Sequence, residues 1–196
     1  MPKKNTLVGC SLTLLILVAS CAAWECKELG NAPPQELVSY LESATLSSQN
    51  AECVTYAIER LGLLKYEPAV PALARLLDFR RPLTSREKHG IYLHVQTVEE
   101  IYPAANALQR IGKGSEAAVL DAIRAGRGSE QARDNAVFVW MEIFKYEAPE
   151  GVARLKHEAD ETADVAEKGR LTDALSKALK WCNPPDKEKC KAAAKG

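Results

Sequence analysis

The sequence predicts an all-α fold, a short α-α superhelix of stacked antiparallel helix pairs with one inserted loop or hairpin. Three observations predict it. Apolar residues recur at helical spacing through most of the chain beyond residue 24. Short elbows separate these stretches, and short connections force neighbouring helices to lie antiparallel. The elbow letters also recur: Lys65–Tyr66–Glu67 returns as Lys145–Tyr146–Glu147, and Arg60–Leu61–Gly62 returns between them as Arg110–Ile111–Gly112. The first interval is longer than one bare helix pair, which places an insertion at roughly residues 81–100. Abundant Ala and Leu with few β-branched runs favour helix throughout.

The organising pair spans Ala51 to Asp78. Val54, Ala57, Ile58 and Leu61 form one apolar stripe, with Leu64 a turn further on, and Val70, Leu73, Ala74 and Leu77 form the second. Pro68 suits the first turn of the second helix, where its missing N–H costs nothing. Two helices this short cannot bury both stripes alone, so neighbouring pairs must stack on them. With its elbow and the run Ala69–Val70–Pro71–Ala72–Leu73, the unit resembles the HEAT repeat family, including the short bacterial form also seen in phycobilin lyases. The resemblance covers roughly Ala51 to Ala159. It implies a helical-repeat domain over residues 24–182, with protein binding as its general use.

Ahead of the domain, Met1 to Ala23 reads as a targeting segment. Lys3 and Lys4 form its basic start, and Leu7 to Ser20 is an apolar run short for a membrane span. Val18–Ala19–Ser20–Cys21 resembles a bacterial lipobox, which would leave Cys21 as a lipidated N-terminus. Cleavage after Ala23 would instead release a soluble protein starting at Trp24. Either way the chain is expected to be exported, periplasmic or secreted, with membrane contact only if Cys21 is lipidated. Four cysteines remain under both readings: Cys26, Cys53, Cys182 and Cys190. An even count in an oxidising compartment suggests two disulfides among three possible connectivities. Their places at the two chain ends favour Cys26–Cys53 and Cys182–Cys190, which would pin terminal arms onto repeats that have one neighbour each.

The remaining elements follow in order. Pro34 or Gln35 opens a capping helix with Leu37, Val38 and Leu41, and Thr45 to Asn50 is a polar linker. Within the insertion, basic Arg80, Arg81, Arg86 and Lys88 precede Ile91 to Gln96, whose alternation suggests a short strand with Ile91, Leu93 and Val95 on one face. Thr97–Val98–Glu99–Glu100 matches a capping box, and Pro103 should bend the helix it starts. That helix ends near Gly112, with Ser115 capping the next, which runs through Arg124. Gly126–Arg127–Gly128 is a loop without the surroundings of a phosphate cradle. Glu130 to Phe144 is the most apolar helix and the expected centre of the core, partnered by Val152 to Ala159. After the acidic break at Asp160 to Asp164, a last helix carries Leu171, Leu175, Ala178, Leu179 and Trp181. Residues 183–196 form a tail, expected to be disordered beyond Cys190.

Lys plus Arg and Asp plus Glu number 26 each, so no global field draws the chain to nucleic acid or an anionic surface. Nucleic acid is therefore not an expected partner. His89, His94 and His157 show no metal-ligand spacing, and no nucleophile sits at recognisable spacing from a base. The expectation is a non-enzyme with no catalytic residue, metal or cofactor. Its primary function would be an interaction or scaffold module for a protein partner. The resemblance to phycobilin lyases implies a lyase-like or accessory enzyme role as the alternative, and an envelope lipoprotein held through Cys21 is a third. Tyr66, Arg81, Arg86, Tyr92 and Tyr146, at elbows or in the insertion, are the candidate partner-binding residues.

Overall fold

The computed structural model describes residues 26, 29–92, 94–125, 128–182 and 185–195. Its helices are α1 (Pro34–Ser43), α2 (Ala51–Leu63), α3 (Val70–Ala74), α4 (Ser85–Lys88), α5 (Val98–Ile101) and α6 (Pro103–Ile111). They continue as α7 (Glu116–Arg124), α8 (Glu130–Ile143), α9 (Ala148–Glu161), α10 (Val165–Trp181) and α11 (Lys187–Ala193). The fold is all-α, and no described residue lies in a strand.

The helix α2 buries Val54, Ala57, Ile58 and Leu61 completely, whereas Leu64 at its end stays exposed. Its C-terminus closes in a Schellman motif: the Lys65 N–H donates to the Gly62 carbonyl and the Tyr66 N–H to the Leu61 carbonyl, each at 3.1 Å. Lys65 takes φ +48° to do so, a conformation more often given to glycine. A 3₁₀ turn at Glu67–Ala69 then leads into α3, whose Val70 and Leu73, with Leu77 beyond it, face the core.

Successive helices pack on one another. α1 covers α2, α2 lies against α6, and α6 lies against α8. On the other side α3 packs on α6 and α7, and α10 rests on α7, α8 and α9. The α2–α6 seam is close because both helices carry small residues there. A Cβ built on Gly62 would stand 2.7 Å from Ala107 Cα. Three elbows run along one edge: Gly114 abuts the Glu67 side chain, and Lys113 Nζ meets Glu147 Oε2 at 3.0 Å.

The centre of the core is α8, where Trp140 is 1% exposed and Phe144 fully buried. Their rings lie 4.9 Å apart, and the Trp140 indole N–H donates to the Gly151 carbonyl of α9 at 3.0 Å. Buried Asn135 ties α8 to the first pair, its Nδ2 donating to the Leu77 carbonyl at 2.6 Å, while Gln131 Nε2 donates to its Oδ1. Asn135→Leu keeps the branched shape but orphans that carbonyl. We expect a loss of about 1–3 kcal/mol in urea unfolding; a change under about 0.5 kcal/mol would mean the bond is replaced by water.

The structure corrects four expectations. Ile91, Tyr92 and residues 94–96 form no strand; Gly90 turns the chain at φ +73° and Val95 is 92% exposed, so nothing pairs with an edge there. Leu93 lies outside the described residues. Pro103 does not bend one helix but separates two, α5 and α6, with Tyr102 outside the helical region between them. The shared Arg-x-Gly letters do not mark equivalent sites, since Gly62 lies inside α2 and Gly112 ends α6 at φ +74°. Beyond Asn183 and Pro184, which are not described, the tail is helical as α11. It lies against α9, and Cys190, fully buried, is bonded to Cys182. The other disulfide joins Cys26 to Cys53 at the start of α2.

Candidate functional site

The insertion is organised by one residue. The Arg81 N–H donates to the Ile101 carbonyl at 3.0 Å, which closes the neck of the loop. Its guanidinium grips Glu87 with both arms, Nη1–Oε2 at 2.8 Å and Nη2–Oε1 at 2.6 Å, and donates to the backbone carbonyls of Glu100 and Pro82. A planar fork on a carboxylate fixes direction as well as distance. Gln96 also donates to Glu87.

Two capping boxes position the carboxylates. In the first, Thr84 N–H donates to Glu87 Oε2 at 2.6 Å and Glu87 N–H to Thr84 Oγ1, starting α4. In the second, Thr97 N–H donates to Glu100 Oε2 at 3.1 Å as α5 begins, and His94 Nε2 lies 2.7 Å from Glu100 Oε1. The Arg81 hydrogen bond, followed by the Thr84 N–H, holds the Glu87 carboxyl at about 2. Glu100 is likewise lowered, first by the Thr97 N–H and then by His94, and the bond to Glu87 raises Arg81.

Because the folded value of Glu87 lies below the ordinary 4.5, its contribution is complete above about 4.5 and is lost as pH falls through about 2. Arg81→Met should therefore remove amide protection across residues 84–101 in hydrogen exchange at neutral pH, while leaving α8 protected. Acidifying the unmodified protein from pH 5 to 2 should loosen the same residues. Protection in the insertion that survives both treatments would show that other contacts hold it.

The locked loop leans over α2 and α6 and leaves a cleft of about 400 Å³. Glu59 of α2 and Asn106 of α6 form part of its floor, and Arg86, Ile91 and Tyr92 stand at its wall. Ile91 and Tyr92 are each 54% exposed. A smaller hollow of about 150 Å³ lies on the α2–α6 seam by Leu63 and Arg110, and shares Glu59 and Asn106 with the first.

The five candidate contact residues separate. Arg86 and Tyr92 line the cleft with Arg81, but Arg81 is engaged internally. Tyr66 is half-buried against the core at the first elbow, and Tyr146 is 94% exposed at the third. Glu59, Glu99, His94 and Asn106 belong to the cleft although the sequence reading did not place them there. For Glu87 a signal was available, since Thr84–Ser85–Arg86–Glu87 repeats the capping-box pattern of Thr97 to Glu100. Glu59 gave none, being one of many carboxylates on a helix face.

His89 Nδ1 lies 2.6 Å from the Ser85 carbonyl, and His157 is exposed on α9. Among the described residues no three His, Cys, Asp or Glu side chains could together hold a metal. Nor is any described helix long and apolar enough to cross a membrane. The targeting segment 1–23 and Cys21 lie outside the described residues. In comparisons with known proteins, no family model, no curated protein and no solved structure matches the chain.

Proposed function

We propose that this chain is an exported, non-catalytic helical-repeat protein of HEAT-like architecture that docks a protein partner on its insertion. The observation that carries the reading is the exposure of Ile91, Tyr92 and Val95 on a loop fixed by the Arg81–Glu87 clamp. Apolar side chains held out by a rigid frame lose little freedom on binding, which is how small surfaces gain affinity. Abutting elbows at Glu67, Gly114 and Glu147 support the repeat reading, since like corners of stacked pairs should line up. The disulfides Cys26–Cys53 and Cys182–Cys190 suit an oxidising compartment, in keeping with the basic and apolar start of the sequence. Lipidation at Cys21 would add an anchor without changing this surface.

The test is a photo-crosslinking amino acid placed at Tyr92 in the native host, with Val165 on α10 as the control position, itself 85% exposed. A discrete protein adduct from position 92 that is missing from 165 supports docking at the insertion. No discrete adduct at 92, or the same adducts from both positions, contradicts it.

A further inference from the structure

We infer that the insertion cleft receives a protein segment bearing a lysine or arginine, held by the carboxylates of Glu59 and Glu99. This rests on the docking reading above and assigns the chemistry of the partner. Residues 80–89 are basic in sequence, yet the cleft they help build is acidic. Its lining holds the carboxylates of Glu59, Glu87, Glu99 and Glu100 against the guanidiniums of Arg81 and Arg86. Arg81 is spent on Glu87, and Glu100 faces His94. Arg80 and Lys88 are not among the lining residues. What faces an incoming group within the cleft is therefore Glu59 and Glu99 against Arg86, a local excess of negative charge that complements a cation, whereas the seam beyond it carries Arg110.

The apolar wall fits the same occupant. A lysine or arginine stem can lie along Ile91, and its cationic end can approach the exposed Tyr92 ring face, an arrangement that adds to charge pairing. A peptide side chain can enter such a cleft, whereas a flat lipid surface cannot. The frame is fixed beforehand by the Arg81 clamp and the two capping boxes, so the partner does not have to order the loop.

The test pans a phage-displayed library of random 12-residue peptides against the purified disulfide-bonded protein, then measures synthetic versions of the enriched peptides in solution. The expected winners carry Lys or Arg beside an apolar residue and weaken with added salt. They should lose about tenfold in affinity to the E59Q/E99Q protein, and lose affinity again with Tyr92→Ala. Thermal unfolding of E59Q/E99Q that matches the parent shows that the loss is local; Glu59→Lys should go further and select acidic peptides. Enriched peptides that are acidic or uncharged, or that bind E59Q/E99Q equally well, overturn this inference and leave docking at the insertion standing. No enrichment over a blank surface overturns both. Co-sedimentation with phosphatidylglycerol vesicles that E59Q/E99Q leaves intact, with no peptide enriched, would reassign the face to lipid and also overturn it.

Discussion

Trp140→Ala should cost about 3–5 kcal/mol in urea unfolding, among the largest losses from a single substitution in this protein. Trp140 is 1% exposed in the C-terminal half of α8, its ring tilted against that of Phe144 at 4.9 Å, so truncation leaves a cavity bounded by a fully buried ring. It also removes the indole donor from the Gly151 carbonyl, which is then buried without that partner. The neighbourhood cannot close easily. A Cβ on Gly151 would already stand 2.8 Å from Phe144 Cβ, so α9 is already pressed on the Phe144 side chain there. Trp140→Phe, which keeps most of the volume and loses the bond, should recover more than half of the loss. A cost near 1 kcal/mol for Trp140→Ala would mean that the core is not centred on α8.

Gly62→Leu should be comparably severe by the opposite route. The side chain would have to occupy the α2–α6 seam, where even a Cβ meets Ala107 backbone at 2.7 Å, and backbone cannot swing aside as a flexible side chain can. The helices must separate, at a cost of about 3 kcal/mol or more. The displacement would also move Glu59 relative to Asn106, so the cleft should open and the insertion lose protection with it. Gly62→Ala should cost less but still destabilise, even though alanine is the better helix former. A neutral or stabilising Gly62→Ala would show that α2 and α6 do not touch there.

These two sites show what the sequence disclosed and where it stopped. Helical periodicity placed Val54, Ile58 and Leu61 on one buried stripe, and the apolar density of Glu130 to Phe144 marked the core. Such patterns are local and repeat every turn, so they survive without knowledge of the partner surface. The role of Gly62 was not legible, because the letters show a helix-weakening glycine and not the Ala107 backbone against it. The supposed strand at Ile91 to Gln96 failed for a related reason. Alternation makes a strand only where another strand offers its edge, and here the chain turns at Gly90 and exposes Val95. The sequence shows four basic residues at 80–88, but which charges face the cleft depended on Arg81 folding inward onto Glu87. A guanidinium and a carboxylate six residues apart can pair or stay solvated, and only the geometry of the two capped turns decides.

The docking role proposed above supposes a chain that folds outside a reducing compartment with both cross-links closed. The most direct measurement is the intact mass of the protein from its native host, before and after reduction. The expected result is a chain beginning at Trp24, or at a lipidated Cys21, that gains four hydrogens on reduction, from Cys26–Cys53 and Cys182–Cys190. A chain that retains Met1 and gains none would contradict export and leave the four cysteines free for other chemistry.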